Sequence, residues 1–131
     1  MALENLVRKT TTAMKSSSKF FLATIPLAFA LNLNAQKTPS TREIDSLIGV
    51  SWNKSSSHPE EAIRGLDSAL DLANTIDYTQ GAASSRVRLG SIHYTRGDYE
   101  KAQGHYQEYI ELQKTLGDTI GAIDGLLNLG M

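Results

Sequence analysis

The sequence predicts an all-α fold built from tandem antiparallel helical hairpins, and three observations carry that prediction. The chain resembles itself at a fixed offset of 40 residues. Its apolar residues recur at three- and four-residue steps. Glycine, proline and aspartate punctuate those stretches at regular intervals. Composition agrees, with 40% apolar residues, 21% charged residues, ten glycines and only three prolines, which is ordinary for a helical domain.

The first element is an export signal. Lys15 to Lys19 form a basic stretch, Phe20 to Leu31 are apolar except for Thr24, and Asn34-Ala35-Gln36 follows. A basic region, an apolar run of about a dozen residues and a small residue at its end are the parts of a secretory signal. The run is too short to span a bilayer as a stable helix, which needs roughly 20 apolar residues. Residues 1–35 are therefore read as a signal peptide cleaved after Ala35, with Ala28-Phe29-Ala30 as an earlier alternative. Met14 is an alternative start. The competing reading is an uncleaved anchor or buried helix, against which Pro26 stands because it would interrupt a packed helix. The segment resembles signal peptides of Bacteroidetes-type bacteria, which often end in the Asn-Ala-Gln seen at 34–36.

The repeat domain is read as residues 43–131. Shifting the chain by 40 places Glu60, Ala62, Leu72, Thr75, Thr79, Gly81, Ala82, Leu89 and Gly90 on Glu100, Ala102, Leu112, Thr115, Thr119, Gly121, Ala122, Leu129 and Gly130. A weaker upstream copy has Leu47-Ile48-Gly49 about 41 residues before Leu89-Gly90. Next, Ser57 to Glu60 read as a capping box with Pro59 in the first turn. The stripe Ala62, Leu66, Ala69, Leu70, Ala73 and Ile76 follows. Thr79 or Gln80 opens a helix with the stripe Ala82, Ala83, Val87, Leu89 and Ile92, ending near Gly97, where the chain needs positive φ. Asp98 caps a helix running to about Leu116, and Thr119 starts the fifth. Gly90 and Ala102 are placed where antiparallel helices cross, with Tyr99 and Tyr106 as bulk on the flank. Gly90 and Gly130 share one phase of the repeat.

Leu89-Gly90, His93-Tyr94, Gly97-Asp98-Tyr99, Ala102, Tyr106 and Ile110 resemble the tetratricopeptide (TPR) signature. The match is strong over residues 83–114, partial over 59–82, weak over 43–57 and cut short over 119–131. Arg86 stands where a large aromatic is usual and Tyr109 where alanine is usual. The period exceeds the familiar one of about 34 residues, like the long-helix variant of bacterial signalling proteins and kinesin light chains. The resemblance implies a TPR-like solenoid whose concave face is lined by the first helix of each unit. It places Ser84, Val87, Arg88, Ser91, Tyr94 and Thr95 on that face, with Asp124 and Asn128 in the last repeat. Arg88, Ser91, Tyr94, Ser84 and Asn128 are the candidate protein-binding residues. Arg88 could engage a carboxylate or a peptide carbonyl, and Tyr94 offers a rigid contact; a solvated charge and hairpin-edge packing are the competing readings. The lysine/asparagine carboxylate clamp of chaperone-binding members is not matched.

Other chemistry is disfavoured. The charge beyond residue 35 is nine basic against thirteen acidic groups, a net of −4 that offers nucleic acid no phosphate-tracking surface. There is no cysteine, so disulfides and thiolate sites are excluded. The three histidines lack metal-ligand spacing and no phosphate loop is present. Asp67/Asp71 and Glu108/Glu111 read as solvated charge. No catalytic residue, cofactor or metal is expected, and no stable membrane span once the signal is removed. The expected function is a non-catalytic scaffold for a protein or peptide ligand, periplasmic or secreted. The alternative is the periplasmic sensory part of a truncated membrane-bound histidine kinase or transcriptional regulator. Self-association through the Leu126, Leu127 and Leu129 edge is a further expectation.

Overall fold

The structure is a computed structural model that describes residues 37–130. The expected signal, its cleavage point and the alternative start at Met14 lie outside the described residues. From Pro39 onward the chain forms one compact unit of five helices: α1 (Thr41–Asn53), α2 (Pro59–Thr75), α3 (Thr79–Thr95), α4 (Tyr99–Leu116) and α5 (Thr119–Asn128). Each packs on the next, and α1 also reaches α3. Consecutive helices with short connections, each packed mainly on its neighbours, make a stack of helical hairpins. No helix of the described residues is long and apolar enough to cross a membrane.

The stripe expected in α2 is the core. Ala62, Leu66, Ala69, Leu70 and Ala73 are buried, with Ile44 and Ile48 of α1 and Ala82, Leu89 and Ile92 of α3. Val87, assigned to the α3 stripe, is only half-buried. Tyr78, just before α3, ties the stack across 33 residues by donating its hydroxyl to the Asp45 carboxylate at 3.0 and 3.1 Å. The chain turns through left-handed conformations at Asp77 (φ 54°), Gly97 (φ 81°) and Gly117 (φ 72°). Asp77 and Gly117 are one repeat apart; aspartate is among the few residues with a side chain that tolerate this region.

The caps fall elsewhere than expected. The capping box belongs to α1: the Glu43 N–H donates to Ser40 Oγ at 3.3 Å, and the Ser40 N–H donates to Glu43 Oε2 at 2.8 Å. At α2 the cap residue is His58, without a side-chain bond to the helix, and Ser57 Oγ instead meets His58 Nδ1 at 2.9 Å. A Ser57 cap would force His58 into helical conformation, which a residue preceding proline avoids; His58 has φ −138° and ψ 65°. Asp98 does stand at the cap of α4 but makes no capping bond. Asp118 at α5 does, accepting from the Gly121 N–H at 3.0 Å.

The close approaches also need correction. A Cβ on Gly90 would lie 2.7 Å from Tyr106 Cε1, so Gly90 accommodates a ring and not a crossing backbone. Gly130 lies beyond α5 at φ 74° with open space around it, so its role is to end a helix. Gly49 in α1 likewise faces open space; the close contact of α1 with α2 is between Ser51 and Gly65. Tyr106 is buried as expected, whereas Tyr99 is 64% exposed. Tyr109 is partly buried beside Gly125, where a Cβ would come within 3.0 Å of its ring. A large residue on α4 is thus matched by a missing one on α5.

Candidate functional site

The five candidate residues fall into two neighbouring groups along α3 and α5. Towards α1, the Arg88 guanidinium lies over the Trp52 ring, 5.0 Å from its centroid. Such a contact attracts the cation to the face of the indole. Arg86 and Arg96 each pair with a carboxylate, whereas Arg88 makes no ion pair among the described residues. Ser84, one turn earlier, is half-buried.

Towards α5, Tyr94 is 55% exposed and packs edge-on against Tyr99, with ring centroids 5.4 Å apart and planes at 68°. A cleft of about 230 Å³ is lined by Tyr94, Tyr99, Gln103, Tyr106 and Asn128, among others. Burial pushes the Tyr106 phenol upward, with Ser91 opposing the shift. Tyr94 and Asn128 are therefore brought together at the cleft, and Ser91 lies on the same helix as Tyr94. Arg88 stands six residues from Tyr94 on α3, roughly 9 Å along the axis.

Trp52 and Tyr99 are the site residues that sequence reasoning missed. Trp52 is the sole tryptophan of the chain and sits in the weakest repeat copy, where no register tied it to Arg88. Tyr99 belonged to the turn signature and was assigned to packing.

A second polar cluster lies between α3 and α4. The His93 and His105 rings stack at 5.4 Å and 10°. His93 Nδ1 is 3.3 Å from Asp98, which explains why Asp98 leaves α4 uncapped. Arg86 donates to His105 Nδ1 at 3.1 Å and pairs with Glu108 at 2.5 Å. Burial, then the Arg86 and His93 charges, lower His105 from 6.5 to about 4, so its ring is neutral at neutral pH. Arg86 thus fills the place of an aromatic by joining α3 to α4 through polar contacts. No group of three or more metal-ligating side chains is assembled among the described residues. Glu108 and Glu111 are exposed, and Glu111 pairs with Lys114 at 2.7 Å.

Over 89 residues, 67% of this chain, the sequence is 28% identical to Tetratricopeptide repeat protein 29 of Trypanosoma brucei brucei (strain 927/4 GUTat10.1). The chain spans 18% of that relative's length. No family model matches the chain, and no solved structure matches it. The helical stack, the 40-residue repeat and this likeness define the class: an all-α protein of helical-repeat type.

Proposed function

We propose that this chain is a TPR-type scaffold that binds a peptide or partner protein on the face formed by its odd-numbered helices, without catalysing a reaction. The observation that carries this reading is Arg88. It is a half-buried cation held over Trp52 with no carboxylate of its own among the described residues, about two turns from an exposed tyrosine cleft. A cation fixed in one rotamer loses little entropy on meeting a ligand carboxylate, and tyrosine binds with few rotors to order. A peptide lying along α3 with an acidic group at Arg88 and an apolar or amide-bearing group at Tyr94 and Asn128 matches both. The likeness to a protein named for its tetratricopeptide repeats supports the family assignment. The signal-like pattern of residues 1–35 supports action outside the cytoplasm, in the periplasm or secreted.

The test is selection of displayed random peptides on the intact protein, read by the emission of Trp52, the only tryptophan. Selected peptides are expected to carry a carboxylate, to shift Trp52 emission and to bind roughly tenfold more weakly to Arg88→Ala. Binding indifferent to Arg88, Tyr94 and Asn128, or no selected peptide at all, would remove this face from consideration.

A further inference from the structure

We infer that the turn between α3 and α4 is an acid-sensitive joint: protonation within the stacked pair His93 and His105 parts the two helices there and separates Tyr94 from Tyr99. The parting withdraws one side of the tyrosine cleft, and its meaning for a ligand rests on the binding role proposed above for that cleft.

The joint is a pair of rungs across one turn. His93 Nδ1 lies 3.3 Å from the Asp98 carboxylate, and the Asp98 N–H donates to the His93 carbonyl at 2.9 Å. Tyr94 and Tyr99 are the next residue on each strand of the turn, and their rings meet edge-on at 5.4 Å. Thr95, Arg96 and Gly97 close the turn, with Gly97 at φ 81°. His93 also stacks on His105 of α4, with ring centroids 5.4 Å apart and planes at 10°. The tyrosine rung thus adjoins the histidine rung, and parting one parts the other.

The charges around the pair suit a neutral His105. Arg86 can only donate, so its 3.1 Å bond makes His105 Nδ1 the acceptor and leaves the ring hydrogen on Nε2. A further proton enters at Nδ1, where it displaces Arg86 and sets one cation against another. From α2, Asp67 faces His93 and Arg86. From α4, Asp98 faces His93 and Glu108 pairs with Arg86. Arg96 lies 3.9 Å from Asp98 and 2.6 Å from Glu60 of α2. Asp45 of α1 is taken by Tyr78, and Asp118 and Asp124 act on Tyr109. Burial, then the charge of Asp71, holds the Asp67 carboxyl above its usual range. Acid therefore removes an anion that favours the closed joint while adding a cation that opposes it.

The size of the effect follows from linkage. His105 titrates at about 4 in place, against 6.5 for a released ring. The closed joint is fully favoured above about 6.5 and loses ground as pH falls towards about 4. The parted state gains about 30-fold at pH 5 and approaches about 300-fold below pH 4. Most carboxylates keep their charge at pH 5, so histidine dominates the upper part of that window.

The test follows the ring-to-ring nuclear Overhauser contact of Tyr94 and Tyr99 in the intact protein from pH 7.5 to 4, with far-ultraviolet circular dichroism alongside. The contact is expected to fade between pH 6.5 and 4 while the helical signal is kept. It is expected to persist to pH 4 in His105→Gln, whose amide oxygen still accepts from Arg86. If that variant does not fold, His105→Phe replaces it, keeping a ring against His93 that takes up no proton. A contact that survives at pH 4 in the native chain, fades equally in the variant, or vanishes only together with the helical signal would overturn the inference. A selected peptide should also bind more weakly at pH 5 than at pH 7.5 in the native chain alone. A fading ring contact with unchanged peptide affinity would uphold the joint and remove the cleft from the proposed binding face.

Discussion

Replacing Gly90 by alanine should destabilise the protein, although alanine is the better helix former. The added Cβ would sit 2.7, 2.9 and 3.1 Å from Cε1, Cδ1 and Cζ of Tyr106. That ring is 5% exposed, so it has little room to retreat. Overpacking of this kind costs about 1–3 kcal/mol, against about 1 kcal/mol gained in helix propensity. With the ring enclosed, the upper part of that range applies and the net loss is up to about 2 kcal/mol. Gly104 in α4 and Gly49 in α1 provide the contrast, because a Cβ there meets nothing within 4 Å. Alanine at either should stabilise by about 0.5–1 kcal/mol. Urea unfolding followed by far-ultraviolet circular dichroism measures all three. In a Tyr106→Leu background, Gly90→Ala should lose its penalty. If Gly90→Ala is as stabilising as Gly104→Ala in the native background, the α3–α4 packing described above is wrong.

Acid should weaken the fold through His105, lowered from 6.5 to about 4 in the folded state. The unfolded chain takes up that proton first, so stability is full above about 6.5 and declines as pH falls towards about 4. Thermal melts across this window should show a shallower decline for His105→Gln. Asp118→Ala should cost about 1 kcal/mol, by removing the cap on α5 and the bond from Gln113 Nε2 at 2.8 Å. Asp98→Ala should leave the amide protection of the first turn of α4 unchanged in hydrogen exchange, since Asp98 makes no capping bond there. Ser40→Ala should cost about 1 kcal/mol, with the first turn of α1 fraying in the same experiment.

The helices were legible because periodicity and turn residues are local signals. The stripe from Ala62 to Ala73, the break at Gly117 and the start at Thr79 all follow from spacing. What a side chain does at a shared register was not legible. Gly90 and Gly130 occupy one phase, yet one admits a ring and the other ends a helix, because only the first has a helix packed across it. Ser57 carried the right spacing for a cap, but the constraint that Pro59 places on His58 overrode it. At the candidate site, the repeat signature could place Arg88, Ser91 and Tyr94 on one helix, α3. Trp52 beneath Arg88 could not be read, since that pairing depends on how α1 stacks on α3.

Amide chemical-shift mapping with a selected peptide tests whether a ligand lies along the odd-numbered helices. Shifts are expected to concentrate at the Trp52 indole, Ser84, Arg88, Ser91, Tyr94 and Asn128. Shifts confined to the outer positions of α2 and α4, such as Ser68 and Glu111, with the Trp52 indole unmoved, would contradict it.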